Sequence, residues 1–186
     1  MPIYRNSFLL ALCAFFVFAS VSARADFLGR AHIVEAVRTN DVDRIKQEFL
    51  NGASVNATME DGTPILLLAV SLQNFEAAEF LLANGARPDD RDRAGHTPLT
   101  LAAQLADFRM VKLLLDSGAN VDRDGELHEP PLIKAVQVKA ADIVELLVKG
   151  GADINATDGT GRTALEIAQA NRDSRIEKLL TGAGAH

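Results

Sequence analysis

The sequence predicts an all-α array of about five small helical units, because two landmarks recur along it at a fixed interval of 33 residues. The first landmark is a Gly-Ala pair, found at Gly52-Ala53, Gly85-Ala86, Gly118-Ala119, Gly151-Ala152 and Gly184-Ala185. The second is a triplet ahead of the pair, found at Pro64-Ile65-Leu66, Thr97-Pro98-Leu99, Pro130-Pro131-Leu132 and Thr163-Ala164-Leu165. A unit of this size cannot bury its own apolar face, so the core must form between neighbouring units.

Each unit is predicted to contain an inner helix followed by an outer helix, and each landmark marks the end of one of them. In the triplet, Thr caps an inner helix, Pro suits the first helical position, and Leu faces inward. An alanine three residues after each Leu lets neighbouring inner helices approach closely. An outer helix follows with apolar residues at the helical period, such as Val111, Leu114 and Leu115. The glycine of the pair ends this helix, and the side chains of Asn56 and Asn155 are predicted to bond local backbone in the turn beyond it.

The first 25 residues predict a secretory signal peptide. An almost wholly apolar run extends from Phe8 to Val21, and Ala23-Arg24-Ala25 supplies the small residues of a cleavage site before Asp26. The alternative is an uncleaved membrane anchor, but this run of about 14 residues is short against the roughly 20 that a spanning helix needs. The bulky Leu12 before Cys13 argues against a lipid anchor. We therefore expect export to the periplasm of a Gram-negative bacterium, with retention at the inner membrane as the alternative.

Composition and residue types narrow the function of the mature chain. Arg5 and Arg24 leave with the signal, so 17 basic residues face 25 acidic ones, a net charge of −8 with histidine neutral. An acidic chain does not favour nucleic acid as a partner. The only cysteine also lies in the signal, which excludes thiol chemistry. The histidines have no metal-ligand spacing, and no serine belongs to a catalytic motif, so we expect no enzyme activity, metal or cofactor.

The chain resembles the ankyrin-repeat family. The best-matching unit reads Asp-Arg-Ala-Gly-His-Thr-Pro-Leu over residues 92–99 and Leu-Leu-Leu-Asp-Ser-Gly-Ala-Asn-Val-Asp over residues 113–122. The resemblance implies a solenoid of helix–turn–helix units, with hairpin-like loops called fingers between units, in one domain over residues 26–186. The expected units are residues 31–57, 58–90, 91–123, 124–156 and 157–186.

The fourth finger departs from the family pattern, because Gly125 replaces the usual Asp and His128 replaces the usual Gly. The sequence allows two interpretations. Gly125 either shifts the turn by a few residues in a loop that closes normally, or it belongs to a specialised binding loop.

The resemblance further implies that a partner protein is bound on a concave face built from finger tips and inner-helix ends. Carried over to this chain, the finger positions are Glu60, Asp61, Thr63, Arg93, His96, Glu126, Leu127, Glu129 and Arg162. The inner-helix positions are Leu72, Gln104, Leu105, Gln137 and Val138. Leu72, Leu105 and Val138 share one repeat position, where the family usually places a polar residue. They are either an apolar contact row or half-exposed side chains that pack on one another.

These observations predict a non-enzymatic protein-interaction module that is monomeric on its own and free of the membrane after signal cleavage. The resemblance to exported bacterial members suggests a stabiliser of a co-exported enzyme, for instance in oxidative-stress defence, or a toxin-neutralising immunity protein. The alternative is a structural or self-assembling scaffold, tethered to the membrane by an uncleaved N-terminal helix.

Overall fold

The computed structural model describes residues 30–125 and 129–185. The predicted signal peptide and the predicted contact residues Glu126 and Leu127 lie outside these residues, as does His128. The described chain contains ten helices: α1 (30–38), α2 (Val42–Leu50), α3 (Ile65–Ser71), α4 (Phe75–Ala83), α5 (Pro98–Gln104), α6 (Phe108–Asp116), α7 (Pro131–Gln137), α8 (Ala141–Lys149), α9 (Ala164–Ala170) and α10 (Ser174–Gly182). The all-helical prediction is confirmed for this part of the chain.

The helices form two layers. The seven-residue helices α3, α5, α7 and α9 contact one another in sequence and form the inner layer. The nine-residue helices α2, α4, α6, α8 and α10 do the same in the outer layer. The predicted inward leucines and small alanines are buried, since Leu99, Ala102 and Ala135 are fully inaccessible to solvent. The core therefore runs continuously between units.

Threonine caps two inner helices, as the triplets predict. The Thr97 hydroxyl oxygen accepts the backbone N–H of Thr100, whose own hydroxyl oxygen accepts the N–H of Thr97. Thr163 and Glu166 form the same reciprocal pair at the start of α9. Pro64 precedes α3 and Pro130 precedes α7. A proline side chain holds no acceptor, so these two helices begin without the cap.

The Gly-Ala landmark ends each outer helix by a shared backbone geometry. Gly118 has φ +84°, and a Cβ placed there would meet no described atom within 4 Å. Backbone conformation rather than crowding therefore selects glycine. The next N–H, that of Ala119, donates to the carbonyl of Leu114 at 3.0 Å and satisfies a carbonyl of the last turn.

Side chains also join one unit to the next by hydrogen bonds to the backbone. The Asn56 Oδ1 accepts the N–H of Arg87 at 3.0 Å, 31 residues further along. Two further bonds of the same span join Asp89 to Asn120 N–H and Asp122 to Asp153 N–H. The prediction that the Asn56 side chain bonds local backbone is therefore wrong, because its Oδ1 accepts an N–H of the stacked neighbouring loop instead.

Candidate protein-binding surface

The apolar row, defined as Leu72, Leu105 and Val138, lies at the ends of three successive inner helices. Each residue is the first one beyond α3, α5 or α7. Their exposed fractions are 44%, 39% and 40%. The residue that follows each of them has positive φ and turns the chain toward the outer helix. The row therefore reaches solvent on the three central units, whereas the fifth unit carries Asn171 at this position.

The predicted inner-helix contacts beside the row differ in their surroundings. Gln104 and Gln137, the last residues of α5 and α7, are both exposed. The Gln137 Nε2 lies 3.3 Å from the Glu129 Oε2, so this side chain is already engaged by the fourth finger. Gln104 and Leu105 are consecutive, exposed residues of the middle one of the three units that carry the row.

Four fingers, numbered second to fifth by the unit that each one opens, are closed by the same backbone hydrogen bond. The N–H of the first finger residue donates to the carbonyl of the fifth, at 2.8 to 3.2 Å, and the pairs are Met59 with Thr63, Asp92 with His96, Gly125 with Glu129, and Asp158 with Arg162. The closing bond of the fourth finger is therefore not displaced by Gly125. The first and fifth residues of each finger therefore occupy equivalent backbone positions.

The fifth finger is held by its own aspartate. The Asp158 Oδ1 accepts the N–H and the hydroxyl of Thr160 at 2.8 and 2.6 Å, and the N–H of Arg162 at 3.0 Å. Its Oδ2 accepts hydrogen bonds from the Nε and Nη2 of Arg162 at 3.0 and 2.8 Å. The Thr160 hydroxyl, followed by the Arg162 donors, holds the pKa of Asp158 well below its ordinary value of 3.8. Arg162 is therefore bound to its own finger, although its side chain remains 56% exposed.

The third finger uses a similar arrangement with histidine. The Asp92 Oδ1 accepts the His96 N–H at 2.9 Å, and its Oδ2 is 3.0 Å from the His96 Nδ1. A carboxylate accepts hydrogen bonds, so Nδ1 carries the proton here. The His96 side chain is 25% exposed, which limits its predicted role as a contact residue.

The second finger replaces the first aspartate by Met59 and uses Asp61 instead. The Asp61 Oδ1 accepts the Thr63 N–H at 2.9 Å, and this bond is the main reason why the pKa of Asp61 is lowered. Arg93 of the next finger lies against Gly62, where an added Cβ would be 3.4 Å from its Nε. Glu60, Asp61 and Arg93 are therefore exposed polar residues on two adjacent fingers.

A groove of about 470 Å³ lies between α1 and the second finger. Val34 and Met59 are among its apolar lining residues, and Arg38, Glu60 and Asp61 are among its charged ones. Within the described part of the chain, no group of three His, Cys, Asp or Glu residues is placed to hold a metal ion. None of the described helices is long and apolar enough to span a bilayer.

Two side-chain contacts of the fourth unit were not predicted from the sequence. Lys134 pairs with Glu129 at 2.6 Å, and Thr100 fills the space that a side chain at Gly125 would need, since an added Cβ would be 2.7 Å from its Oγ1. A signal for Lys134 existed, because the repeat register places it where other units carry Leu68 and Leu101. The Thr100 contact lies between different units and leaves no such signal.

Comparison with known families agrees with this architecture. A family model described as "Ankyrin repeats (3 copies)" matches residues 33–125, and one described as "Ankyrin repeats (many copies)" matches residues 114–168. No curated protein matches the chain. The two matches span most of the described helices and include the whole apolar row. The chain therefore belongs to the ankyrin-repeat family.

Proposed function

We propose that this chain is a non-enzymatic binding module that is exported to the periplasm, remains monomeric on its own, and holds a partner protein against the apolar row and the adjoining fingers. Ankyrin repeats are generally protein–protein interaction modules. The observation that carries the proposal is the row itself: three apolar side chains at one repeat position, each about two-fifths exposed, on three adjacent units. Apolar anchors with a polar rim are typical of protein interfaces.

The size of the row limits what it contributes. Full burial of a Leu or Val side chain contributes about 1.5–3 kcal/mol, so covering the exposed part contributes roughly 1 kcal/mol per residue. Three such residues give roughly 3 kcal/mol, or about a hundredfold in Kd. The row therefore supplies only part of the binding free energy. Glu60, Asp61 and Arg93 form a polar rim that supplies further contacts and selectivity.

The partner proposed here is a co-exported protein. It is either an enzyme that the module stabilises, for instance in oxidative-stress defence, or a toxin that it neutralises. The acidic mature chain does not favour nucleic acid, and the resemblance to exported ankyrin-repeat proteins supports this choice of partners.

Affinity capture from periplasmic extract tests the row. We expect the wild-type chain to retain a partner that the double variant Leu72→Asp/Leu105→Asp loses, because two buried charges would be left uncompensated. Leu50→Asp is the matched control, since Leu50 is 80% exposed at the end of α2 and lies outside the row. Equal capture by the wild type and the double variant would show that the row is not the contact site.

Mass spectrometry of the chain recovered from the cell tests export. A mature N-terminus at Asp26 is expected from the predicted cleavage site. Recovery of the intact chain in the membrane fraction would contradict the exported module and support the tethered scaffold.

A further inference from the structure

The triplet Asn-Ala-Thr occurs at two equivalent places in the chain, residues 56–58 and 155–157, three repeats apart. Asn-X-Ser/Thr, with X other than proline, is the triplet at which exported proteins accept N-linked glycans. Each copy lies in the loop between an outer helix and the finger that follows it. Because the triplets are identical, they can differ as acceptors only through their flanking residues and their surroundings in the fold.

The first asparagine is held by the neighbouring unit. The Asn56 Oδ1 accepts the N–H of Arg87 at 3.0 Å, and Asn56 is half-buried. Thr58, the third residue of this triplet, is half-buried as well. An enzyme that encloses the whole side-chain amide must first break the hydrogen bond to Arg87 and separate the two stacked loops.

The second asparagine is exposed, and so is Thr157 at the end of its triplet. The Asn155 side chain forms no hydrogen bond with any residue in the described ranges 30–125 and 129–185. Its backbone N–H donates to the Asp153 Oδ1 at 3.0 Å, and the Ala156 N–H donates to the Asp153 carbonyl at 3.2 Å. The turn is therefore stabilised through its backbone, and the Asn155 amide can be bound without breaking a contact of the fold.

We propose that Asn155 is an acceptor of an N-linked glycan and that Asn56, in the folded chain, is not. The co-substrate is a polyprenyl-diphosphate-linked oligosaccharide, and the enzyme is an oligosaccharyltransferase. The Asn155 Nδ2 forms a bond to the anomeric carbon of the first sugar while the bond from that carbon to the diphosphate oxygen breaks. The diphosphate leaves with the electron pair, and the amide nitrogen gives one proton to a base of the enzyme.

The site is independent of the apolar row in the sequence, because the loop between α8 and the fifth finger contains none of the row residues. An encounter with such an enzyme in the cell rests on the export proposed above. The difference between the two asparagines is a property of the folded chain and exists without export.

Glycosylation of the purified chain in vitro tests the proposal. The probe is an oligosaccharyltransferase that recognises the bare triplet, supplied with its polyprenyl-diphosphate-linked oligosaccharide, and mass spectrometry of proteolytic fragments gives the occupancy of each site. We expect the occupancy of Asn155 to exceed that of Asn56 by about fivefold or more, the factor that the loss of one hydrogen bond represents. Asn155→Gln and Thr157→Ala should each abolish modification at residue 155, whereas Asn56→Gln should leave it unchanged.

Synthetic peptides covering residues 52–60 and 151–159 are the matched controls, because they keep each triplet with its flanking residues and lose the fold. We expect the enzyme to modify both peptides to a similar extent. Equal occupancy of the two sites in the folded chain, or no modification of Asn155, would overturn the proposal. A difference between the peptides as large as that in the folded chain would assign the effect to the flanking residues and overturn it as well. Failure of the affinity capture, or recovery of the intact chain in the membrane fraction, would leave these results standing, so the two proposals fail separately.

Discussion

The fourth and fifth fingers are closed by the same backbone hydrogen bond, between their first and fifth residues, but the side chains of these residues are arranged in opposite ways. In the fifth finger, the first residue is Asp158, whose carboxylate accepts hydrogen bonds from the guanidinium group of the fifth residue, Arg162. This pair therefore forms inside the loop. In the fourth, the first position is Gly125 and the fifth is an acid, Glu129, which pairs with Lys134 of the inner helix. The same backbone hydrogen bond closes both loops. The side chain at the fifth position contacts the finger's own aspartate in one case and the inner helix in the other.

The largest expected effect is that of Glu129→Ala. The substitution leaves the Lys134 ammonium largely buried without its partner, and breaking a fully buried pair in this way costs about 3–5 kcal/mol. Because both side chains retain 12% exposure, we expect the free energy of unfolding to fall by about 2–3 kcal/mol. Urea denaturation measures it. The double variant Glu129→Ala/Lys134→Leu should recover most of the loss, and an additive double variant would show that the two residues do not interact.

A smaller loss is expected from Gly125→Ala. The new methyl would lie 2.7 Å from the Thr100 Oγ1 and 3.0 Å from its Cβ, and the capped helix start leaves this buried side chain little room to move. Overpacking of this kind costs roughly 1–3 kcal/mol, to be read from the thermal unfolding midpoint. Gly182→Ala is the control, because a Cβ there meets no described atom within 4 Å. Equal midpoints for the two variants would argue against the close contact with Thr100.

The last prediction concerns the pH dependence of the fifth finger. Because the folded pKa of Asp158 lies below the ordinary 3.8, its contribution to stability is complete above that pH and is lost as the pH falls toward the folded pKa. Asp158→Asn should therefore be less stable than the wild type at pH 7, and the gap should narrow below pH 3.8. Unfolding free energies measured across this range give the comparison. A gap that stays constant down to pH 3 would contradict the assignment.

Much of the fold could be predicted from the sequence, because the signals for it are short-range. The Thr97 cap, the turn at Gly118 and the burial of Leu99 each follow from residues within a few positions of one another. The position of the row was also predictable, since the 33-residue register places Leu72 and Leu105 at equivalent helix ends. Their exposure was left open in the sequence, because it depends on how far each helix end is covered by its neighbours.

Contacts between units were the part that sequence reasoning could not supply. Asn56 was expected to bond its own turn, yet its side chain meets the N–H of Arg87 in the next loop. One interpretation of Gly125 was that it shifts the turn, whereas in the structure it makes room for Thr100 of the preceding unit. Both cases depend on the offset between stacked units, which no local pattern records.

The sequence by itself determined the helical repeat, the landmarks that begin inner helices and end outer ones, and core residues such as Leu99 and Ala102, since hydrogen bonding and burial within one unit are local. Only the tertiary structure decided the partner of Glu129. A carboxylate at that position could bond its own finger, the neighbouring finger or the inner helix, and all three are close in sequence or in repeat register. The α7 helix places the Lys134 Nζ 2.6 Å from the Glu129 Oε2, and both side chains retain only 12% exposure, which selects the inner helix.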